Sequence, residues 1–384
     1  MIRNAPAALP TTLRFMGAQL VQRLAGGGRS HSRGELRARV DRVVAGLGEH
    51  VRRCDHVTVP ARHDPWLESG VRLDTDHAMT LLAEGRVYLS RALDVGFGPG
   101  IGLWQRVGDG EIQKIVATAS TFAVERPGML FLTSKPPGEF ADRNGSFEAD
   151  PPRGDLAGEF RVAVLQWREG AEEALAAAAA LDEPLFGPAL RRLRDPVLPP
   201  RGWHYLWRLG PSEVFTKDRE DGSLRCHARG DASILQFPVS RPFTRETRLR
   251  WAWRVDQLPS RLPEHIQPTH DYLSIAVEFD DGRDLTYLWS AALPTDTIFQ
   301  CPLPWWDRRE THWVVRSGNR ELGGWLDEER DLFTDCQRAL GGAPPREIVG
   351  IWLIGVSAFQ RGEGRCRYRG IALEDGDGRV VVHP

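Results

Sequence analysis

Three side chains that can transfer protons, His270, Tyr272 and Glu278, lie in one short stretch of the chain. Side chains there alternate between apolar and polar, as in a half-buried strand, which places Tyr272 and Glu278 on the polar face. Ser274 and Ala276 lie between them and are small, so a groove is expected. Phenol, carboxylate and imidazole groups serve as general acids and bases. We therefore take His270, Tyr272 and Glu278 as candidate catalytic residues.

Arginines and tryptophans are the candidate ligand-binding residues. Guanidinium groups hold anionic or polyhydroxylated ligands by paired hydrogen bonds, and indole rings add apolar contact area. The alternative is a solvated sheet face on which arginines pair with acidic residues across strands. The candidates are Arg250, Arg254, Arg367, Trp289, Trp305 and Trp306. On the first interpretation one concave surface gathers Arg250, Arg254, Tyr272 and Glu278, with Trp305 or Trp306 at its rim.

Strict alternation of apolar and polar residues recurs along the C-terminal half. It is seen in residues 249–255, 273–279 and 285–289. A period of two is typical of half-buried antiparallel strands. The apolar face of the first segment, which carries Trp251 and Trp253, is predicted to be core. The fold class is therefore predicted as mainly β, with two β-sandwich (jelly-roll or galactose-binding-like) domains and an N-terminal helical segment.

Composition excludes several classes of protein. The 384 residues carry a net charge of −2, so the overall charge does not favour binding to nucleic acid or an anionic membrane. Five scattered cysteines without a C-x-x-C spacing predict reduced thiols and no metal site. No apolar run reaches the roughly 18 residues of a membrane span, and no signal peptide is evident, so a cytoplasmic location is expected. Nucleotide, zinc-peptidase and serine-hydrolase motifs are absent, and no cofactor is expected.

Four regions follow one another along the chain. Residues 1–56 are predicted to be helical, with a capping box at Ser32–Glu35, and this amphipathic segment admits a homodimer formed through its helix. Residues 57–168 form the first β-sandwich, and 169–200 a helix with a proline-rich connector. Residues 201–384 form the second sandwich, with one helix at 327–340.

Residues 57–167 resemble the calcium-dependent, galactose-specific bacterial lectins. The resemblance is carried by residues 66–71, 83–85, 103–110, 128–132 and 138–147. In those lectins the loop before the Asn-Gly-Ser-Phe segment, residues 144–147 here, supplies the calcium ligands. The positions matched here are Lys135, Asp142 and Arg143, and a lysine and an arginine cannot ligate Ca²⁺, which takes six to eight oxygens. We therefore expect this domain to bind no calcium.

The C-terminal half is similar to a widespread bacterial family of unknown function. The matching segments are residues 249–254, 271–279, 285–290, 324–330 and 348–355. The resemblance implies a jelly-roll sandwich like those of carbohydrate-binding modules and polysaccharide lyases, and it supplies no catalytic residues. The acidic cluster usual in the family is replaced here by Ser357–Arg361.

Three functions are compatible with these observations. The leading hypothesis is binding of a carbohydrate-like or other small polar or anionic ligand in an aromatic- and arginine-lined cleft of the second sandwich. The alternative is a cofactor-independent enzyme, a lyase or a cyclase or isomerase. It would use an acid–base pair in a pocket between the domains. A third reading is a purely structural interaction module, supported by the N-terminal helix.

Overall fold

The computed structural model describes residues 7–24, 34–62, 65–75, 77–136, 140–147, 156–168, 170–304, 306–376 and 378–384. The chain divides into two compact units. The N-terminal unit comprises residues 22–197 and 207–212, and the C-terminal unit comprises residues 1–21, 198–206 and 213–384. None of the helices in the described part of the chain is long and apolar enough to span a membrane.

The helices and strands alternate irregularly along the sequence. The helices are α1 (Ala8–Leu24), α2 (Glu35–Leu47), α3 (Pro99–Gly102), α4 (Ala171–Leu181), α5 (Glu183–Arg194) and α6 (Leu332–Ala339). The strands of the N-terminal unit are β1 (Val51–Pro60), β2 (Leu67–Leu73), β3 (Ala78–Ser90), β4 (Val95–Phe97), β5 (Leu103–Val107), β6 (Gln113–Lys114), β7 (Ala119–Ala123), β8 (Gly128–Ser134) and β9 (Ala157–Trp167).

In its described residues the C-terminal unit contributes thirteen further strands. They are β10 (His204–Tyr205), β11 (Phe215–Lys217), β12 (Leu224–Arg229), β13 (Ala232–Pro242), β14 (Arg248–Gln257), β15 (Leu273–Phe279), β16 (Asp284–Ser290), β17 (Ile298–Gln300), β18 (Glu310–Ser317), β19 (Leu326–Asp331), β20 (Glu347–Val356), β21 (Glu363–Asp375) and β22 (Gly378–His383).

The N-terminal unit contains a five-stranded sheet and a four-stranded sheet. The first has the order β1-β9-β3-β4, with β7 also pairing with β3, and the second has the order β2-β8-β5-β6. Side chains of α2, α4 and α5 pack against the five-stranded sheet in one apolar cluster. The cluster includes Val40, Trp167, Leu175 and Phe186. The helices therefore cover a sheet face instead of standing apart from the domain.

Two predicted boundaries in this unit are wrong. The first strand begins at Val51, so the helical segment predicted for residues 1–56 ends before that residue. Residues 183–194, placed in the proline-rich connector, form the helix α5. The helix tolerates Pro184 in its first turn, where no backbone donor is needed, and the Asp182 carboxylate accepts a hydrogen bond from the Leu185 amide. Ser32, the predicted cap of α2, lies outside the described residues, and Gly34 occupies the cap position.

The C-terminal unit is a sandwich of two sheets. One has seven strands in the order β10-β13-β20-β15-β16-β18-β17, and the other has six, β11-β12-β21-β14-β19 with β22 on β21. Their inner faces form one apolar core. Trp253 of the six-stranded sheet lies 5.5 Å from Trp289 of the seven-stranded sheet, measured between ring centroids. The mainly β fold and the core position of Trp251 and Trp253 are confirmed.

The segment predicted as a helix at residues 327–340 begins as a strand and continues as a shorter helix. Residues Leu326–Asp331 form β19, which pairs antiparallel with β14, and α6 begins only at Leu332. Arg250 and Trp251 of β14 lie opposite Glu329 and Glu328, and this cross-strand pairing overrides the helix propensity of the acidic residues. The Asp331 carboxylate then caps α6 by accepting from the Thr334 amide.

Candidate functional site

The outer face of the six-stranded sheet, here called the open face, carries the three candidate arginines. Arg250 is bonded to Glu329 at 3.0 Å and to Glu374 at 2.9 Å. Arg254 and Arg367 lie opposite each other in β14 and β21. Arg254 pairs with Asp256 at 2.7 Å, and Arg367 lies 3.1 Å from Asp218 and 3.4 Å from Asp221. The guanidinium groups are thus engaged with carboxylates of the same sheet or of the turn that joins β11 to β12.

The predicted single groove is wrong. Tyr272 and Glu278 belong to the seven-stranded sheet or its entry, whereas Arg250, Arg254 and Arg367 belong to the six-stranded sheet. The core separates the two sheets, so outward-pointing side chains of one cannot meet those of the other. Trp289 is also misassigned as a ligand contact, because it is fully buried in that core and donates its indole N–H to the Gly318 carbonyl.

The outer face of the seven-stranded sheet, here called the covered face, has a row of three carboxylates. The register places Glu278 of β15 opposite Asp284 of β16, and Asp284 beside Glu310 of β18. Neighbouring strands lie about 4.8 Å apart, so the three acids stand side by side. Of these three acids only Glu278 is among the candidates predicted from the sequence. Asp284 and Glu310 each begin a strand, and each shares its face with the residue two positions later, Thr286 and His312.

Burial sets the electrostatics of this carboxylate row. Asp284 is 1% exposed, and its Oδ2 has no hydrogen-bond partner among the described residues. Burial, followed by the charges of Glu310 and Glu278, holds the pKa of Asp284 well above its ordinary value. Burial likewise raises the pKa of Glu310 to about 6. Glu278 alone is only partly buried, so it is the acid of the row that faces solvent.

Glu278 is held in place by two donors and lies near aromatic rings. Its Oε2 accepts a hydrogen bond from Gln236 Nε2 at 2.7 Å and another from the Trp352 indole nitrogen at 3.1 Å. The ring of Trp306 meets the ring of Trp352 edge to face, with centroids 6.5 Å apart. Trp306 is partly exposed, and Trp305 lies outside the described residues. The arrangement offers an oriented carboxylate next to an aromatic surface.

His270 and Tyr272 belong to a second, fully buried group on the covered face. His270, Cys301, Glu310 and His312, here called the four-residue cluster, each offer a ligand atom, and these atoms all lie within 4.8 Å of one another. Cys301 Sγ lies 3.4 Å from His270 Nε2, and His312 Nε2 lies 3.7 Å from Glu310 Oε2. The Tyr272 hydroxyl donates to Glu310 Oε1 at 2.9 Å.

The same burial shifts the other groups of the cluster toward their neutral forms. Burial lowers the pKa of His270 to about 4 and holds that of His312 well below its ordinary value. It holds the pKa values of Cys301 and Tyr272 well above theirs, with the charge of Glu310 acting in the same direction. No strand pattern could have joined these residues, since Cys301 comes from a connection outside the strands.

Two connections bury this group. Residues 258–272 hold Glu264, whose carboxylate accepts from the Ser290 hydroxyl and from the Ala291 amide at 2.6 Å. Asp271 accepts from the amides of Phe359 at 2.9 Å and Gln360 at 2.6 Å. Asp271 therefore anchors the segment that stands where the similar family has its acidic cluster. Residues 291–309 form the second connection and carry Cys301.

Hydrogen bonds and ring contacts hold the residues matched to the lectin calcium site. The Asp142 carboxylate accepts from the amides of Asn144 at 2.9 Å and Ser146 at 3.1 Å, and these bonds hold its pKa below the usual range. Lys135 Nζ lies 5.1 Å from the ring centroid of Phe147, and the Arg143 guanidinium lies 5.7 Å from that of Trp207. The expectation of no calcium here stays a prediction.

Solved structures similar to the chain include three β-rich proteins. The lectin domain titled "EclA N-terminal domain; PllA-like lectin" is 23% identical, with 29% of this chain and 94% of that chain covered and a TM-score of 0.23. The xyloglucanase domain of NopAA from Sinorhizobium fredii is 5% identical, with 46% and 94% covered and a TM-score of 0.31. A truncated AlyQ with CBM32 and alginate lyase domains is 8% identical, with 82% and 98% covered and a TM-score of 0.25.

Among curated proteins none matches the chain. A family model does match the sandwich that carries both outer faces, and it agrees with the resemblance drawn from strands β14 to β20. Residues 211–372 match the family described as "Protein of unknown function (DUF3047)".

Proposed function

We propose that the covered face around Glu278 binds a carbohydrate-like or other small polar ligand. The proposal rests on the partly exposed Glu278 carboxylate, which Gln236 and Trp352 orient, and on the ring of Trp306, which meets that of Trp352. Saccharide hydroxyls bind to oriented carboxylates, and the C–H faces of sugar rings pack on indoles. Of the predicted cleft this proposal keeps Glu278 and Trp306, but neither Trp289 nor the three arginines.

Glycan binding tests the proposal directly. The protein is screened against immobilised neutral and uronate-containing oligosaccharides, and retained sugars are titrated by calorimetry. Glu278→Gln and Trp306→Ala should each weaken binding by about tenfold or more, because each removes one contact of the site. Arg250→Ala, on the open face, is the matched control and should bind like the parent.

The proposal fails if the parent retains none of these sugars at millimolar concentration. It also fails if both covered-face variants bind as tightly as the parent. Circular dichroism of each variant separates lost binding from lost fold.

The carboxylate row favours a second candidate, a cofactor-independent lyase or cyclase or isomerase. In such an enzyme Glu278 would take a proton from the bound substrate while its neighbours supply the acid form. Incubating the retained sugars with protein and analysing products by mass spectrometry distinguishes the two candidates. An enzyme would lose turnover by about a hundredfold or more in Glu278→Gln at nearly unchanged affinity, whereas a binding protein would change only in affinity.

A further inference from the structure

We propose that the four-residue cluster is a structural site for a divalent transition metal, with zinc as the first choice. The four ligands would be His270 Nε2, Cys301 Sγ, a Glu310 carboxylate oxygen and a His312 ring nitrogen. All four residues are buried, and their ligand atoms lie within 4.8 Å of one another. Two imidazoles, one thiolate and one carboxylate form a donor set that zinc takes in proteins.

Two of the distances between ligand atoms are close to those around a tetrahedral ion. Bonds of about 2.3 Å to sulfur and about 2.0 Å to nitrogen or oxygen place neighbouring ligand atoms roughly 3.3–3.5 Å apart. The separation of Cys301 Sγ and His270 Nε2 is 3.4 Å, and that of His312 Nε2 and Glu310 Oε2 is 3.7 Å. The other pairs of ligand atoms lie within 4.8 Å, so small side-chain adjustments would bring all four onto one ion.

His312 is the independent sign that a ligand belongs here. Its side chain is 0% exposed, and neither ring nitrogen has a hydrogen-bond partner within the described part of the chain. An imidazole buried without a partner costs free energy that a satisfied core would avoid. A hydrogen-bonded network without metal accounts for Cys301, His270, Tyr272 and Glu310, but it leaves His312 unexplained. A metal bound at one of its nitrogens accounts for it.

The surrounding groups already hold the ligands in metal-binding orientation. His270 Nδ1 donates to the Glu264 carbonyl at 2.6 Å, so in the neutral ring the Nε2 lone pair points into the cluster. The Tyr272 hydroxyl fixes one oxygen of Glu310 and leaves the other toward His312. Metal-bound histidines in proteins usually have such a partner on the second nitrogen.

The ligands come from separate parts of the sandwich. His270 precedes β15, Cys301 follows β17, and Glu310 and His312 lie in β18. An ion bound by all four would fasten both covering connections to the edge of the seven-stranded sheet. Four protein ligands leave no open position, so the site is structural and not catalytic.

Metal content and cobalt spectra test the proposal. The full chain is unfolded in denaturant with a chelator and refolded with Zn²⁺ or Co²⁺, since a buried site loads most readily during folding. We expect one tightly held metal ion per chain and a higher melting temperature than after refolding with chelator. The cobalt form should show a thiolate-to-metal charge-transfer band, which Cys301→Ser abolishes. His312→Ala should lower the bound metal by about tenfold or more.

Two matched controls make the assignment specific. Cys336→Ser changes another buried free cysteine. Cys54→Ser disrupts the half-exposed group Asp41, Cys54 and His56, the other set of close ligand atoms among the described residues. Both controls should keep the metal and the band. The proposal is overturned if refolded parent protein holds no metal after gel filtration, or if Cys301→Ser keeps stoichiometry and spectrum. It is equally overturned if Cys54→Ser, and not Cys301→Ser, loses the ion. Should Cys301→Ser misfold, the smaller change Cys301→Ala gives the same readout.

Discussion

The two outer faces of the C-terminal sandwich differ in the burial and pairing of their charged residues. On the open face, Arg250, Arg254 and Arg367 lie at the surface within hydrogen-bonding reach of carboxylates from their own sheet or from its β11–β12 turn. On the covered face, Asp284 and Glu310 lie side by side under two connections, and the part of the chain that the structure describes gives Asp284 Oδ2 no partner. Exposed charges that pair with one another keep a sheet face soluble and need no ligand. Buried polar atoms left without a hydrogen-bond partner indicate a site.

The faces with Arg250 and with Glu278 are both outer faces only if the two sheets share one core. Trp253→Ala is the most severe test of this shared core. Trp253 is fully buried and contacts Trp251, Trp289 and Tyr368 through its ring. Truncation should cost about 3–5 kcal/mol of unfolding free energy, because it leaves a large cavity. Urea denaturation measures the loss. A variant that melts like the parent but loses ligand would show that the inner and outer faces are reversed.

Asp271→Ala should have the next largest effect. It removes the acceptor of the Phe359 and Gln360 amides in a fully buried setting, so two backbone donors lose their partner. We expect a loss of about 2–4 kcal/mol in unfolding free energy. The matched change on the open face, Asp256→Ala, breaks only the pair with Arg254 and should cost under about 1 kcal/mol. Equal losses in the two variants would remove the distinction between the faces.

Arg250→Ala measures how much the ion pairs of the open face contribute to stability. Its guanidinium pairs with Glu329 and Glu374, and the side chain is 47% exposed, so water replaces much of what is lost. Unfolding free energy should fall by less than about 1 kcal/mol, and by less still in high salt. A drop of several kcal/mol in thermal or chemical melts would mean that the open-face ladder is a structural element in its own right.

The smallest expected effect concerns calcium at the lectin-like loop. Calorimetric titration of chelator-treated protein with Ca²⁺ should give no heat of binding, because Lys135 and Arg143 stand at the matched positions and Asp142 already accepts two backbone amides. Micromolar binding that disappears when residues 134–144 are deleted would contradict this. Such a result would add a second metal-binding region to the one proposed for the covered face.

Alternation along single strands was enough to predict the sandwich and the inward faces of Trp251, Trp253 and Ile275. The pattern assigns each side chain to one side of its own strand, and burial follows from that. It does not state which strands share a sheet. Arg250 and Glu278 both lie on polar faces, and only the strand order shows that a core separates them.

The sequence indicates single residues of the candidate site but not how they come together. Glu278, Tyr272 and His270 are candidates from the sequence. His270 and Tyr272, however, contact Cys301 and Glu310 through connections whose path no local pattern specifies. Asp284 and Glu310 were recoverable, because Asp284 and Thr286, like Glu310 and His312, sit two residues apart at the start of alternating strands. Cys301 was not, since it lies outside any strand, and its partners are 9 to 31 residues away in sequence.

The parallel pairing of β16 and β18 has a consequence for the order of folding. The other strand pairs of the seven-stranded sheet are antiparallel, but β18 can join β16 only after residues 291–309 have crossed from one end of the sheet to the other. Closing that excursion costs more chain entropy than closing a tight hairpin, so β18 should dock late. Until it docks, His312 and Glu310 remain open to water. The interval before docking is then the natural time for an ion to enter a place that the finished fold seals, and folding without one should slow at that last step.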